Sequence, residues 1–227
     1  MNYPTVLFDL DHTLFDTHAS EAAAFEATMR SIAVDPTPEV FAAYDRLNQA
    51  LWRRVERGEL DPNDVKMIRF VQLLDELGID GDARAIAESF VTGLAEHGDL
   101  YAGAGELLAE LGATCRLALI TNGIGSVQRG RLRRLGLQSS FEVVSISGEL
   151  GMTKPGREIF DHTLRAMEID DRGGVVMIGD SLASDIRGGV NSGIDTIWFN
   201  PRSQTNTSEI APTHEVSSLE DLAVLIG

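Results

Sequence analysis

The chain has 227 residues, 43% of them hydrophobic, which supplies one large core with room for a modest insertion and excludes a disordered chain. Its 19 Lys and Arg stand against 35 Asp and Glu, a formal net charge of −16 that disfavours nonspecific binding to nucleic acid or an anionic membrane. The lone cysteine, Cys115, excludes a disulfide framework and an all-cysteine zinc site and makes a reducing cytoplasm the expected setting.

The apolar run Val6-Leu7-Phe8 predicts a buried first strand, entered with no signal-like segment before it, and Asp9-Leu10-Asp11-His12-Thr13 follows at once. From about Ser20 to His97 the pattern is that of consecutive amphipathic helices. The first opens at Ser20, read as a serine cap, and is broken by Asp35-Pro36-Thr37-Pro38. Val40, Phe41, Tyr44, Leu47, Leu51 and Val55 mark one face of the second. A third spans residues 65–77 and stops at Gly78, and a fourth spans 82–96. Beyond Gly98 strand candidates at 117–121, 143–146, 175–178 and 196–199 alternate with helix candidates at 104–111, 127–135, 158–167, 184–191 and 219–226. No apolar run reaches the about 18 residues of a membrane span. The alternation predicts an α/β fold with a doubly wound parallel sheet, built from residues 1–16 and 100–227 and interrupted by an all-helical insert over 17–99.

Chemistry-bearing residues fall at the carboxyl ends of these strands, where open α/β sheets hold their ligands. Asp9 and Asp11, two apart, share a side of an extended backbone. Such a pair can bind a divalent cation and divide nucleophilic from acid–base work, although an acidic loop is the plainer reading. The second strand ends in Thr121-Asn122-Gly123, which offers a hydroxyl, an amide and a backbone N–H to an anion. Lys154-Pro155 follows the third strand and a glycine-rich turn over 148–151. The fourth ends in Gly179-Asp180-Ser181-Leu182-Ala183-Ser184-Asp185. Taken singly these read as a cap, a solvated lysine and a turn; their joint occurrence along one sheet edge singles them out.

As a set these residues resemble the haloacid dehalogenase-like (HAD) superfamily, and the helical insert is similar to its cap. The resemblance implies a Rossmann-like core and a Mg²⁺-dependent phosphomonoesterase working through an aspartyl-phosphate. Asp9 would be the nucleophile and Asp11 the acid and base. Mg²⁺ would be held by Asp9, the backbone carbonyl of Asp11 and Asp180, with Asp185 in the outer shell. Thr121, the Asn122 backbone and Lys154 would hold phosphoryl oxygens. Asp11 separates a phosphatase from a dehalogenase, because a halide leaves without a proton. Finer segments, residues 120–123, 151–155, 188–196 and 210–214, are similar to the YjjG/YfnB group of bacterial pyrimidine 5′-nucleotidases. That likeness implies a nucleoside monophosphate. Phosphoglycolate, a sugar phosphate or an acyl-sugar phosphate would suit the same chemistry. The expected partner is thus a small phosphomonoester, not nucleic acid or membrane. A regulator that binds a nucleotide without turnover is disfavoured by the presence of both Asp9 and Asp11. His12 is expected to serve backbone positioning, and Thr17 and the 98–103 stretch to serve as hinges. Trp52 is expected mainly to pack in the cap, with stacking on a base as the alternative.

Overall fold

A computed structural model describes residues 3–226. Its six strands form one parallel sheet: β1 (Thr5–Phe8), β2 (Arg116–Thr121), β3 (Val143–Ile146), β4 (Val175–Gly179), β5 (Asp195–Phe199) and β6 (His214–Val216), in the order β3-β2-β1-β4-β5-β6. The central strands are near-continuous apolar runs because both faces are covered. Alternation sorts their side chains. Val6 and Phe8 of β1 face the cluster made by Leu107, Leu108 and Leu111 of α5 (Ala104–Gly112) and Leu219, Leu222 and Ile226 of α10 (Leu219–Ile226). Leu7 faces the opposite cluster, with Ile159, Phe160 and Leu164 of α8 (Arg157–Ala166). Each fully buried side chain of this kind contributes about 1.5–3 kcal/mol.

Strand β1 lies between β2 and β4, so later crossovers leave it to opposite sides. The end of β1 is therefore the topological switch point, where the loops part and open a crevice. Asp9 is the first residue beyond that end.

Four helices intervene between β1 and α5: α1 (Thr17–Ser31), α2 (Pro38–Glu56), α3 (Pro62–Leu77) and α4 (Ala83–Glu96). Thr37, Asp61 and Asp82 cap α2, α3 and α4, Pro38 and Pro62 stand at the first helical positions, and Gly78 ends α3 with φ 63°. Their shared core is aromatic: Phe25, Tyr44, Phe70 and Phe90 meet with Phe70 and Phe90 edge-on at 5.1 Å and Tyr44 and Phe90 at 5.4 Å. The cluster continues into Ile124 and Val127, seating these helices on α6 (Gly125–Arg134) of the sheet layer.

Three local expectations are corrected. The cap of α1 is Asp16, whose side chain accepts from the Ala19 N–H, while Ser20 is buried within the helix and its hydroxyl donates to the Leu94 carbonyl at 3.2 Å. The glycine-rich turn at 148–151 is one helical turn, α7 (Ser147–Leu150), closed by Gly151 at φ 67°. The predicted helix at 184–191 begins earlier as a π-helical turn over Leu182–Ile186 before α9 (Arg187–Ser192). That wide turn folds Asp185 back over Gly179, where a Cβ would lie 2.2 Å from the Asp185 carboxyl carbon. The edge strand β6 escaped notice because its three residues carry too little apolar pattern. Among the described residues no helix is long and apolar enough to cross a membrane.

Gly98, in the segment returning from α4, has φ 85°, and a Cβ there would stand 2.7 Å from both Phe15 and Ser20. Gly136 also has positive φ, 69°, but faces open space. Gly98→Ala is expected to cost about 2–4 kcal/mol and Gly136→Ala about 1 kcal/mol. Thermal unfolding should therefore show a clearly larger Tm loss for the former; equal losses would mean that the clash is absorbed.

Candidate active site

The chain turns sharply after β1. The Asp9 N–H continues the sheet by donating to the Ile178 carbonyl at 2.9 Å, and the N–H groups of Leu14 and Phe15 both donate to the Leu10 carbonyl at 3.0 Å. His12 occupies the left-handed region at φ 61°, with its N–H on the Phe15 carbonyl. The turn makes the two aspartates diverge even though both line one cavity.

Asp9 is buried beside Lys154. The Lys154 ammonium donates to Asp9 Oδ1 at 2.6 Å, Asp185 Oδ1 at 2.7 Å and the Ile120 carbonyl at 2.8 Å, which uses its three protons. Asp185 Oδ2 accepts from the Ser181 N–H at 2.9 Å. The Asn122 side chain holds the lysine backbone, accepting from the Lys154 N–H at 2.8 Å and donating to the Lys154 carbonyl at 2.9 Å. Thr121 is buried, and its hydroxyl oxygen accepts from Gln128 at 2.8 Å and from the Gly123 N–H at 3.2 Å.

Asp11 answers to other partners. Its carboxylate accepts from the Thr17 hydroxyl at 2.7 Å, from Arg131 Nη1 at 2.6 Å and from Gln128 Nε2 at 2.5 Å. Arg131 is buried, with its guanidinium 4.3 Å from the Phe15 ring centroid, and it also donates to the Leu94 carbonyl and the Ser20 hydroxyl. Sequence reading assigned nothing to Gln128 or Arg131. The one available signal was a pair of long polar side chains three apart on an amphipathic helix, too common to distinguish a site residue from a solvated face.

Electrostatics follow from this division. Burial pushes the Asp9 carboxyl up to about 7, reinforced by Asp185 and Asp11, with Lys154 opposing. Burial and the charges of Asp185 and Asp9 likewise raise Asp180 well above its usual range. Burial would raise Asp11 as well, but Arg131, the Thr17 hydroxyl and Gln128 outweigh it and hold Asp11 below its usual value. Lys154 stays charged: burial opposes the charge, and Asp185 and Asp9 more than offset it.

Carboxylate oxygens of Asp9, Asp180 and Asp185 lie within 4.8 Å of one another. Lys154 and Arg131 match only part of the charge of the four aspartates, and no described residue donates a hydrogen bond to the Asp180 carboxylate. A hard divalent cation with oxygen ligands fits this set. Asp185 is already taken up by Lys154 and the Ser181 N–H, and the Asp11 carboxylate stands outside the cluster with Arg131. That leaves Asp180, and Asp9 through the Oδ2 that Lys154 does not use, as the carboxylates able to bind such an ion.

The cavity, about 1160 Å³, lies between this sheet edge and the inserted helices, and half-buried Trp52 of α2 forms part of its wall as well as packing beside Leu51 and Val55. Helices rest on the core above it: the Ser181 hydroxyl donates to Glu56 at 3.2 Å, and Asn63 donates to the Gly148 carbonyl at 2.9 Å.

An open parallel sheet, with an aspartate at its switch point and a buried lysine beside it, lies under a helical cover, a Rossmann-like α/β arrangement. Residues 6–199 match the model of the haloacid dehalogenase-like hydrolase family, and the chain belongs to that family. It is 36% identical over 220 residues to the HAD-type protein YfnB of Bacillus subtilis (strain 168), covering 97% of this chain and 94% of that protein. The crystal structure of YfnB bound to magnesium superimposes with a TM-score of 0.92 at 34% identity, covering 100% of this chain and 99% of that one. Two proteins named pyrimidine 5′-nucleotidases are similarly related. PynA of Streptococcus pneumoniae (strain ATCC BAA-255 / R6) is 36% identical over 223 residues, 98% of this chain and 94% of its own length. YjjG of Escherichia coli (strain K12) is 33% identical over 226 residues, 100% and 99% respectively.

A raised Asp9 binds its proton in the folded state where the unfolded chain has already released it. Stability of the metal-free protein is therefore lost through Asp9 as pH rises from the unfolded value of 3.8 towards about 7. In chelator, Asp9→Asn should gain stability relative to the unsubstituted protein between about pH 5 and about pH 7.5. Urea midpoints at the two pH values test this, and a constant difference would show that Asp9 is not raised.

Proposed function

We propose that the protein is a Mg²⁺-dependent phosphomonoesterase whose substrates are pyrimidine nucleoside 5′-monophosphates. The chemistry rests chiefly on one observation: Asp9 is held by Lys154 at the switch point, while Asp11 is held separately at the same cavity. The substrate class rests on the near full-length likeness to PynA and YjjG.

In the first half-reaction an Asp9 carboxylate oxygen attacks phosphorus in line, and the P–O bond to the leaving 5′-oxygen breaks as Asp11 supplies a proton to it. In the second, Asp11 takes a proton from water, the hydroxide attacks the aspartyl-phosphate, and Asp9 is released with inorganic phosphate. Paired with Arg131, Asp11 is an ionised base, set for the second half. In the first it carries a proton, the one taken from water at the close of the preceding turnover, and its carboxyl must leave that clamp to deliver it to the substrate oxygen. Thr121, its oxygen already accepting from Gln128, has its own proton free for a phosphoryl oxygen, and the Asn122 backbone flanks it. Lys154 fixes Asp9 and offsets charge as it builds. Mg²⁺, held by Asp9, Asp180 and the Asp11 carbonyl with Asp185 behind, would screen the repulsion between carboxylate and phosphate.

The inserted helices, residues 17–99, act as a cap that admits the substrate and then excludes water, with Thr17 and the 98–103 segment as hinges. Thr17 donates directly to Asp11, so cap position and the acid–base group are mechanically joined. The free Cys115 is buried, which suits work in a reducing cytoplasm.

Phosphate release with Mg²⁺ should be measured across UMP, dUMP, dTMP, AMP, phosphoglycolate and several sugar phosphates. The expected result is the highest kcat/KM for the pyrimidine nucleotides and a loss of at least about 10³-fold in Asp9→Asn. A lead for phosphoglycolate or a sugar phosphate would discard the nucleotide assignment. Near-normal turnover by Asp9→Asn would discard the mechanism.

A further inference from the structure

The core chemistry leaves unused a second polar group of residues, high in the cap. Arg69, in the middle of α3, is 1% exposed. Its guanidinium lies 4.5 Å from the Phe90 ring centroid and 5.6 Å from that of Phe70, inside the aromatic core of the cap. Nη1 donates to Asn48 Oδ1 at 3.2 Å, whereas Nε, Nη2 and the Tyr44 hydroxyl reach no partner at hydrogen-bond geometry, although that hydroxyl stands against the guanidinium. Asn48, also buried, passes the connection on by donating to Glu21 Oε1 at 2.9 Å. Glu21 is half-buried, and its second carboxylate oxygen accepts from no described residue. Arg69, Asn48 and Glu21 all line the cavity that holds Asp9 and Asp11.

A purely structural role accounts poorly for this arrangement. A buried guanidinium with unpaired donors is costly, and cap packing alone would be served better by leucine or methionine. Asn48 separates Arg69 from Glu21, so one end of the relay presents donors and the other an open acceptor. The ends carry opposite charges, and Asp45 lines the same cavity. A second anionic group on the substrate would meet Glu21 and Asp45 as well as Arg69, whereas a neutral ring with an N–H beside a carbonyl would satisfy both ends.

The geometry points to the Glu21–Asn48–Arg69 relay as the site that recognises the leaving group, reading a neutral cyclic imide of the uracil or thymine type. Arg69 donates to a ring carbonyl and Glu21 accepts from the adjacent ring N–H. Half-buried Trp52, on the same wall, supplies a flat apolar surface for the ring. This assignment rests on the phosphatase reading above and names the chemical feature that the cap selects.

Three substrates separate the possibilities: UMP, 3-methyl-UMP, which lacks the imide proton, and ribose 5-phosphate, which lacks the base. The unsubstituted enzyme should prefer UMP to 3-methyl-UMP by about 10- to 100-fold in kcat/KM, the range for a hydrogen bond to a charged group. Arg69→Met and Glu21→Gln should each lower the ratio of kcat/KM for UMP to that for ribose 5-phosphate by a similar factor. Ready turnover of UMP with no discrimination against 3-methyl-UMP would overturn the relay while leaving the nucleotidase reading intact. Turnover of ribose 5-phosphate without UMP would overturn that reading, and the relay with it. Because the methylated substrate probes the unsubstituted protein, misfolding of Arg69→Met would not blunt the test.

Discussion

The buried ammonium of Lys154 is the point on which the site depends. It joins Asp9 after β1, Asp185 in the π-helical turn after β4, and the Ile120 carbonyl of β2. These segments are far apart in sequence and carry charges that would repel if left alone. Two buried carboxylates without a cation would be strongly unfavourable, so the lysine makes their close approach possible. The surrounding chain is shaped to the same end: Asn122 grips the lysine backbone on both sides, and Gly179 leaves room for Asp185 to fold back.

Around this fixed centre the two aspartates of the first motif acquire different properties from their neighbours. Asp9 is raised by burial and by the carboxylates around it, while Asp11 is surrounded by donors and lowered. Two positions of sequence separation become two electrostatic environments, the condition for dividing labour between like residues. Arg131 extends the arrangement into the cap. By holding Asp11, the Ser20 hydroxyl and the Leu94 carbonyl together over Phe15, it links Asp11 to helices α1 and α4. The inserted helices thus meet the sheet layer through both an apolar seam at Ile124 and Val127 and these polar, partly charged contacts.

The helices of the cap follow a different logic. Their aromatic centre of Phe25, Tyr44, Phe70 and Phe90 gives them a packed interior, yet Arg69 is placed within it. A charge in an aromatic core, unpaired on two of its nitrogens, departs from what packing alone would favour, and such departures concentrate at functional sites.

The sequence by itself determined the α/β fold and the strand-end positions of its candidate site motifs, because both are local properties. Apolar runs marked the strands, the Asp35–Pro38 break and Gly78 marked helix ends, and Asp9, Thr121 and Asp180 could be placed at or just beyond strand ends by counting, with Lys154 following a turn, whereas the Thr37 and Asp61 caps were not read. Features without a short-range signal were missed: the π-helical turn, the brief strand β6 and the Asp16 cap. The same holds for the residues that tune the site. Gln128 and Arg131 meet Asp11 across 117 and 120 residues, and Asn63 meets Gly148 across 85. Glu21, Asn48 and Arg69 come from three separate helices and read as ordinary polar positions on each. Local propensity carries no record of which distant side chain will stand opposite. Only the packing of the inserted helices over the sheet edge decides whether a given polar group faces water or a partner.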